Sequence, residues 1–307
     1  MPKNPLPDFV DIHRDVLSAL KCKRPVVALE STIITHGMPF PDNVEMALSV
    51  EAEIRQRGAV PATIAVIEGR LKIGLTEQEL QQLAKVEGAL KVSRADVAYA
   101  ISQRKTAGTT VAATMLVAKM AGIKVFGTGG IGGVHKGAET SFDISTDMTE
   151  LGKTNVIVVC AGAKAILDLP KTLEVLETQG VPVVGYKTDT LPAFWTSRSD
   201  LDVPLRLESA LDISKFQKTR DALQLEAGML VVNPIPQENE IPASIMKTYI
   251  EVAQSNADAE HISGKEVTPF LLKRIFELSE GESLKANIAL VKNNARLAAD
   301  IACELHK

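Results

Sequence analysis

The sequence predicts an α/β fold: a three-layer α/β/α sandwich around a mostly parallel mixed sheet, with a helical C-terminal region. Three observations predict it. Short β-branched runs alternate with stretches of helical apolar spacing, the order that puts helices on both faces of a largely parallel sheet. The runs are apolar from end to end, as strands buried on both faces have to be. Aromatic residues are only 4% of the chain against 45% hydrophobic in all, so the core must be packed from Val, Ile, Leu and Ala.

RPVVALE (24–30) reads as a buried strand. Pro41 and Asp42 open a helix whose apolar positions Val44, Ala47, Leu48 and Ile54 recur at helical spacing, and Gly58 ends it. PATIAVIEG (61–69) and RLKIGL (70–75) suggest a hairpin. Thr76 and Glu79 form a capping box before Leu80 and Leu83, and Ser93 with Asp96 marks another cap. A helix opens at Gly108, Thr109 and Thr110 and stops at Gly122. IKVFGTGG (123–130), NVIVVCAG (155–162), VPVVGYKT (181–188) and GMLVVNPIP (228–236) supply four more strands, and the chain is mostly helical from Pro242 onward.

The 307 residues suffice for one large domain or two small ones. No linker-like segment divides them, so one catalytic domain over 1–307 is expected, with the Pro-rich start at 1–8 loosely ordered. A net charge of −4 offers no general attraction to nucleic acid. No apolar run approaches the roughly 20 residues that span a bilayer, and the N-terminus lacks the apolar core of a secretory signal. Cys22, Cys160 and Cys303 are an odd set without regular spacing, which argues against a disulfide framework or a zinc cluster. A cytoplasmic protein with no nucleic-acid or membrane partner is expected.

Four segments end strands with polar groups, where sites gather in such folds. In ALESTIITHGMPFP (28–41), Glu30 closes an apolar strand. Desolvation there would raise its pKa and suit it to acid–base work, although a purely structural carboxylate fits the same position. In KTAGTTVAATM (105–115), Thr109 and Thr110 precede a helix whose free N–H groups suit a phosphate, or simply cap it. Lys91 in KVSRAD adds a positive charge, for a ligand or for solvent. In GTGGIGGVHKGAETSFDISTD (127–147), five glycines in seven residues demand unusual backbone angles or close approach to a ligand. Asp143 and Asp147 near His135 suit Mg²⁺ or Mn²⁺, or are solvated beside a helix capped by Ser145 and Thr146. In VVCAGAKAILD (158–168), Lys164 follows an apolar strand and falls in the first turn of an expected helix. Burial and the helix dipole would both disfavour its ammonium form, leaving an amine able to attack a carbonyl carbon. The bland alternatives are a head that snorkels to solvent, or pairing with Asp168.

Taken together, these segments resemble the pseudouridine-5'-phosphate glycosidase family. The resemblance rests on PVVALESTIITHGMPFP, GAVPATIAVIEG, KVSRAD, GTTVAATM, GIKVFGTGGIGGVHKGAETSFDISTD, NVIVVCAGAKAILDLPKTLEVLETQGVPVVGY, LPAFW, NPIP, GKEVTPFLL and SLKANIALVKNNA, in order over roughly residues 25 to 300. The indigoidine-locus A proteins are similar in fold and in much of this pattern. The resemblance implies a pseudouridylate synthase, a lyase that reversibly cleaves pseudouridine 5'-phosphate to uracil and ribose 5-phosphate through a lysine imine. It implies Lys164 as nucleophile, Glu30 as proton donor and Asp143 as ligand to one Mn²⁺. It implies substrate contacts from Lys91, Thr109, Thr110, Val111, Ser145, Thr146 and Asp147, with His135 and Asn287 as further pocket residues, and a homotrimer.

Such chemistry suits these groups. A carbon–carbon glycosidic bond has no leaving heteroatom to protonate, so the usual two-carboxylate route is poorly suited. Opening the ribose and forming an imine at C1' supplies an electron sink, and one carboxyl can cycle between donor and acceptor. The residues alone leave three alternatives. One is a nicotinamide oxidoreductase using the glycine loop, although the acidic residue that should close the next strand is missing. The others are a noncatalytic phosphosugar-binding module and a lyase or hydrolase acting on another C-nucleotide.

Overall fold

The computed structural model describes residues 6–262, 264 and 267–307. Its strands are β1 (Val10–Ile12), β2 (Val26–Leu29), β3 (Val60–Ile67), β4 (Arg70–Ile73), β5 (Leu90–Val92), β6 (Ala107–Thr109), β7 (Val125–Gly127), β8 (Ile157–Cys160), β9 (Val183–Tyr186), β10 (Leu205–Leu207) and β11 (Met229–Val232). They form one sheet in the order β1-β4-β3-β2-β7-β8-β11-β9-β10, with β6 on β3 and β5 beyond it. Every pairing is parallel except β3 with β4 and β3 with β6. The expected mixed sheet is therefore present, and the hairpin turns at Glu68 and Gly69, both at positive φ.

The length of β3 positions everything that follows. Val60 to Thr63 pair with parallel β2, while Ala65 and Val66 pair with antiparallel β6. Thus β2 and β6 lie along β3 in opposite directions and meet C-terminus to C-terminus near Ile64. Ser31 and Thr109 seal that meeting point. The Ser31 hydroxyl donates to the Ile64 carbonyl at 2.6 Å and accepts from the Thr109 amide at 2.9 Å, and the Thr109 hydroxyl donates to the same carbonyl at 2.7 Å.

Helices cover both faces. On one, α13 (Glu282–Leu305) packs across β2, β7 and β8, flanked by α3 (Asp42–Gln56) and α10 (Ala210–Ala222). Its inward side carries Ala286, Ala295, Ala298 and Ala302, small enough that a Cβ on Gly127 would lie 3.3 Å from that of Ala298. On the other, α6 (Val111–Ala121) packs on β2, β6 and β7 beside α8 (Thr146–Lys153). Thr110 caps α6, and Gly122 ends it at φ 81°. The capping box of Thr76 and Glu79 opens α4 (Glu77–Lys85). The C-terminal helical region is α11 (Ala243–Ala259), α12 (Val267–Leu278) and α13, with α12 against both its neighbours.

One expectation needs correction. No helix begins at Lys164; α9 (Leu169–Thr178) starts later, capped by Asp168, whose side chain accepts from the Lys171 amide at 3.1 Å. Residues 161–168 are held sideways instead: the Ile131 amide donates to the Gly162 carbonyl, that of Lys164 to Ile131, and that of Asp168 to Val134. Backbone groups engaged in this way are not available to a helix. The loose start at 1–8 falls partly outside the described residues, but Pro7 and Asp8 are tied down by the Val10 amide and the Arg70 guanidinium. Of the two readings of the glycine loop, unusual angles are absent, since none of Gly127, Gly129, Gly130, Gly132 or Gly133 has positive φ.

Candidate active site

The C-terminal ends of β2, β5, β6, β7 and β8 converge on one cleft, the place where ligands bind in open α/β sheets. It has two lobes, an outer one beside His135 and Asp143 of about 1130 Å³ and an inner one beside Leu272 and Asn287 of about 610 Å³, both figures including their open mouths. Glu30, Thr32, Lys91, Lys164 and Thr268 line both. The residue that leaves β2 thus shares a cavity with the one that follows β8, 134 positions away in the chain.

Glu30 is half-buried and held by hydroxyls. Thr32 donates to Oε2 and Thr128 to Oε1, so the carboxylate is fixed from the helix that follows it, α2 (Thr32–His36), and from the loop after β7. Behind it lies an apolar pocket of about 340 Å³ that includes Leu29, Ile33, Ile34 and Val50.

Lys164 sits on the register between the glycine loop and the chain after β8. The Thr128 amide donates to Val159, Ala161 to Gly129, Ile131 to Gly162 and Lys164 to Ile131, which extends the β7–β8 pairing past both strands. The glycines permit this close approach: a Cβ on Gly130 would meet the Phe194 ring at 2.6 Å, and one on Gly132 the Ser145 hydroxyl at 2.2 Å. Asp168 pairs with Lys171 at 2.9 Å, so it is committed away from Lys164.

Asp147 is buried and spans two elements. Its Oδ1 accepts from the Ala112 amide in the first turn of α6 at 2.9 Å, and its Oδ2 from the Gly132 amide at 2.8 Å. A carboxylate already stands where an anion would meet this helix end. Thr110 lines the outer lobe beside Val111, whereas Thr109 is fully buried in the seal of β2 to β6 and lies outside the lining. Ser145 caps α8, and Thr146 bonds the Ser93 hydroxyl at 2.6 Å. Next to Ser93, Arg94 grips the buried Glu150 of α8 through two bonds, at 2.5 and 2.7 Å. These contacts dock the loop after β5, and with it Lys91, against α8.

His135 and Asp143 face each other on the outer wall, with Nδ1 4.0 Å from Oδ2 and the His135 amide donating to the Asp143 carbonyl at 3.0 Å. Burial pushes the imidazole below its ordinary pKa. Asp143 opposes that shift, while the cations Lys164 and Lys91 reinforce it. Among the described residues no three His, Cys, Asp or Glu side chains gather as metal ligands. Asp147 has both oxygens on backbone amides, so the expected pair of aspartates reduces to Asp143. A half-buried carboxylate on a roomy polar wall fits a hard divalent cation that keeps most of its waters.

Asn287 of α13 lines the inner lobe, and its Oδ1 has no hydrogen-bond partner. Sequence reasoning did not find Thr128, which orients Glu30, or Thr268, which α12 brings over both lobes. Threonine is too common to flag either one, and only the tertiary fold sets them beside Glu30 and Lys164.

The chain matches the indigoidine synthase A-like protein family over residues 15–304. It is 75% identical over 98% of its length to the pseudouridine-5'-phosphate glycosidase of Dinoroseobacter shibae, covering 99% of that protein. It is 63% identical to the protein of that name from Mesorhizobium japonicum, over 96% of each chain. Among solved structures, the prealnumycin C-glycosynthase AlnA in complex with ribulose 5-phosphate superposes with a TM-score of 0.90 at 36% identity over 98% of each chain. An indigoidine synthase A-like protein of Thermotoga maritima gives 0.89 at 33% identity over 99% of each. The chain belongs to the indigoidine synthase A-like family, and within it to the pseudouridine-5'-phosphate glycosidases.

Proposed function

We propose that this chain cleaves the carbon–carbon bond of pseudouridine 5'-phosphate to give uracil and ribose 5-phosphate, and forms the same bond in reverse, with Lys164 as nucleophile and Glu30 as proton donor. The observation that carries the reading is the convergence of Glu30, Lys91 and Lys164 on one cleft in a chain 75% identical to a glycosidase of that name.

The steps balance with these two residues. The Lys164 amine adds to C1', the C1'–O4' bond breaks, and O4' takes the proton of Glu30. The Glu30 carboxylate then removes a proton from the new ammonium. The nitrogen lone pair expels uracil C5 as the C1'–C5 bond breaks, and Glu30 returns the proton to C5. Water adds to the resulting iminium carbon, releasing the amine and the aldehyde of ribose 5-phosphate. Lys91 faces the phosphate end, and binding energy from that remote group positions C1' against Lys164. Val111, Ser145, Thr146 and His135 complete the sugar-phosphate side, and Asn287 the base side.

Asp143 would hold one Mn²⁺, which when bound supplies positive charge beside the sugar phosphate. The same reading extends to a homotrimer in the cytoplasm. The test is uracil release from pseudouridine 5'-phosphate, with Mn²⁺ and after exhaustive chelation. Release that falls on chelation and returns with Mn²⁺ is expected. Absence of uracil under both conditions contradicts the activity, and full activity after chelation contradicts the metal.

A further inference from the structure

We infer that Asn294 is a positioning residue for the reaction: from outside the cleft it sets the place of Thr128, and through Thr128 the direction of the Glu30 carboxylate. The inference rests on the role of Glu30 proposed above. Asn294 lies on the inward side of α13, among the alanines Ala286, Ala295, Ala298 and Ala302. It is fully buried and lines neither lobe of the cleft. An amide buried among small apolar side chains costs free energy unless its polar atoms are paired.

That pairing leads to the glycine loop. The Asn294 side-chain nitrogen donates to the Thr128 carbonyl at 2.8 Å, and the Gly129 carbonyl lies 3.4 Å from the same nitrogen. Carbonyl oxygens only accept, so the amino end of the side chain has to face them and its oxygen has to face away. That oxygen accepts from the Asn233 side chain at 3.1 Å. Asn233 follows β11 and is anchored by its own backbone, whose amide donates to the Cys160 carbonyl of β8 at 2.8 Å. Two asparagines in series thus run from the ends of β8 and β11 to the loop after β7. The adjacent Asn293 is used differently: its side chain donates to the Pro234 carbonyl at 3.0 Å and docks α13 on the segment after β11.

The line continues on the cleft side. The Thr128 amide donates to the Val159 carbonyl at 2.9 Å, and the Thr128 hydroxyl to Glu30 Oε1. Thr128 is therefore pinned at its nitrogen by β8 and at its carbonyl by Asn294, on either side of the side chain that holds Glu30. A carboxylate at position 294 would turn acceptors toward two carbonyls, and an aliphatic side chain would leave the buried Thr128 carbonyl without its donor. The chemistry singles out an amide.

The test is a double-mutant cycle on uracil release from pseudouridine 5'-phosphate by the full chain, with kcat and KM measured for the parent, Asn294→Ala, Thr128→Val and the double variant. A misplacement of 1 Å caused far from the chemistry can cost about 10²-fold in rate, so Asn294→Ala should lower kcat by about 10- to 10²-fold and leave KM within about twofold of the parent. Thr128→Val should lower kcat by a similar factor. Because both act on Glu30 along one line, adding Asn294→Ala to Thr128→Val should cost less than about threefold more, whereas the losses of independent sites multiply. An asparagine that only supports the fold lowers the melting temperature without this coupling. If Asn294→Ala does not fold, Asn233→Ser, which removes the bond orienting the Asn294 amide, takes its place in the cycle and should lower kcat in the same direction by a smaller factor. Losses that multiply, a KM that rises as much as kcat falls, or parental kcat in either single variant overturn this inference alone. A parent chain that releases no uracil overturns the proposed function, and this inference with it.

Discussion

Glu30 is gripped at both oxygens by threonine hydroxyls, which fixes its direction but leaves its role as acid to be tested. Glu30→Gln keeps the shape and both kinds of hydrogen-bond partner and cannot transfer a proton. Loss of a positioned acid–base group lowers rate by about 10²–10⁴-fold. The variant should therefore lose turnover on that scale while its melting temperature and its affinity for pseudouridine 5'-phosphate hold, as calorimetry of melting and of binding would show. Near-normal turnover with a lowered melting temperature would make the carboxylate structural. At this scale the positions of Glu30 and Lys164 at strand ends were legible, because a charged residue just after an apolar strand is visible as a pattern. The structural partners of Thr109 and Asp147 lie on β3, α6 and the glycine loop and cannot be seen from spacing.

The element that presents Lys91 is short. β5 has three residues, and what holds the following loop in place is the Arg94 grip on Glu150 together with the bond from Ser93 to Thr146. Glu150 is 1% exposed, and its remaining contact is the Thr154 hydroxyl. Removing one partner of a buried pair leaves an uncompensated charge that costs about 3–5 kcal/mol; because Arg94 is half-exposed, the lower end applies. Arg94→Ala should thus lower the melting temperature, and it should raise KM for pseudouridine 5'-phosphate more than it lowers kcat, since Lys91 moves and Lys164 does not. A variant with normal KM would show that the loop is held by other contacts. Short elements are also where the sequence was least legible. β1, β5, β6 and β10 have three residues each and α2 has five, too few for either apolar period to register. The strands at 26–29, 157–160 and 229–232 were plain because every position in them is buried.

The whole molecule is a single sheet of eleven strands among the described residues, closed at one edge by charge. There β1 is fastened to β4 by Asp11, which bonds Arg70 at 2.5 Å and Lys72 at 2.8 Å. The Arg70 hydrogen bond, assisted by Lys72, holds the Asp11 carboxyl well below the usual carboxylate range. A carboxyl depressed in the folded state stabilises it fully above the unfolded pKa of about 4, and less as pH falls below that value. Melting temperature should therefore drop between about pH 5 and about pH 2 less steeply in Asp11→Asn than in the parent chain. Equal slopes would show that this edge does not govern acid lability. The layered architecture was legible because alternation of strand and helix admits few arrangements. The meeting of β2 and β6 along β3 was not, and that crossing brings Glu30 toward Lys91.

The central claim is that Lys164 attacks C1' and carries the sugar as an imine. The most direct measurement adds borohydride while the chain turns over pseudouridine 5'-phosphate, then locates the modified peptide by mass spectrometry. Reduction should leave ribose 5-phosphate attached to Lys164 alone, and Lys164→Ala should neither trap sugar nor release uracil. An adduct on another lysine, or uracil release from Lys164→Ala, would contradict the account.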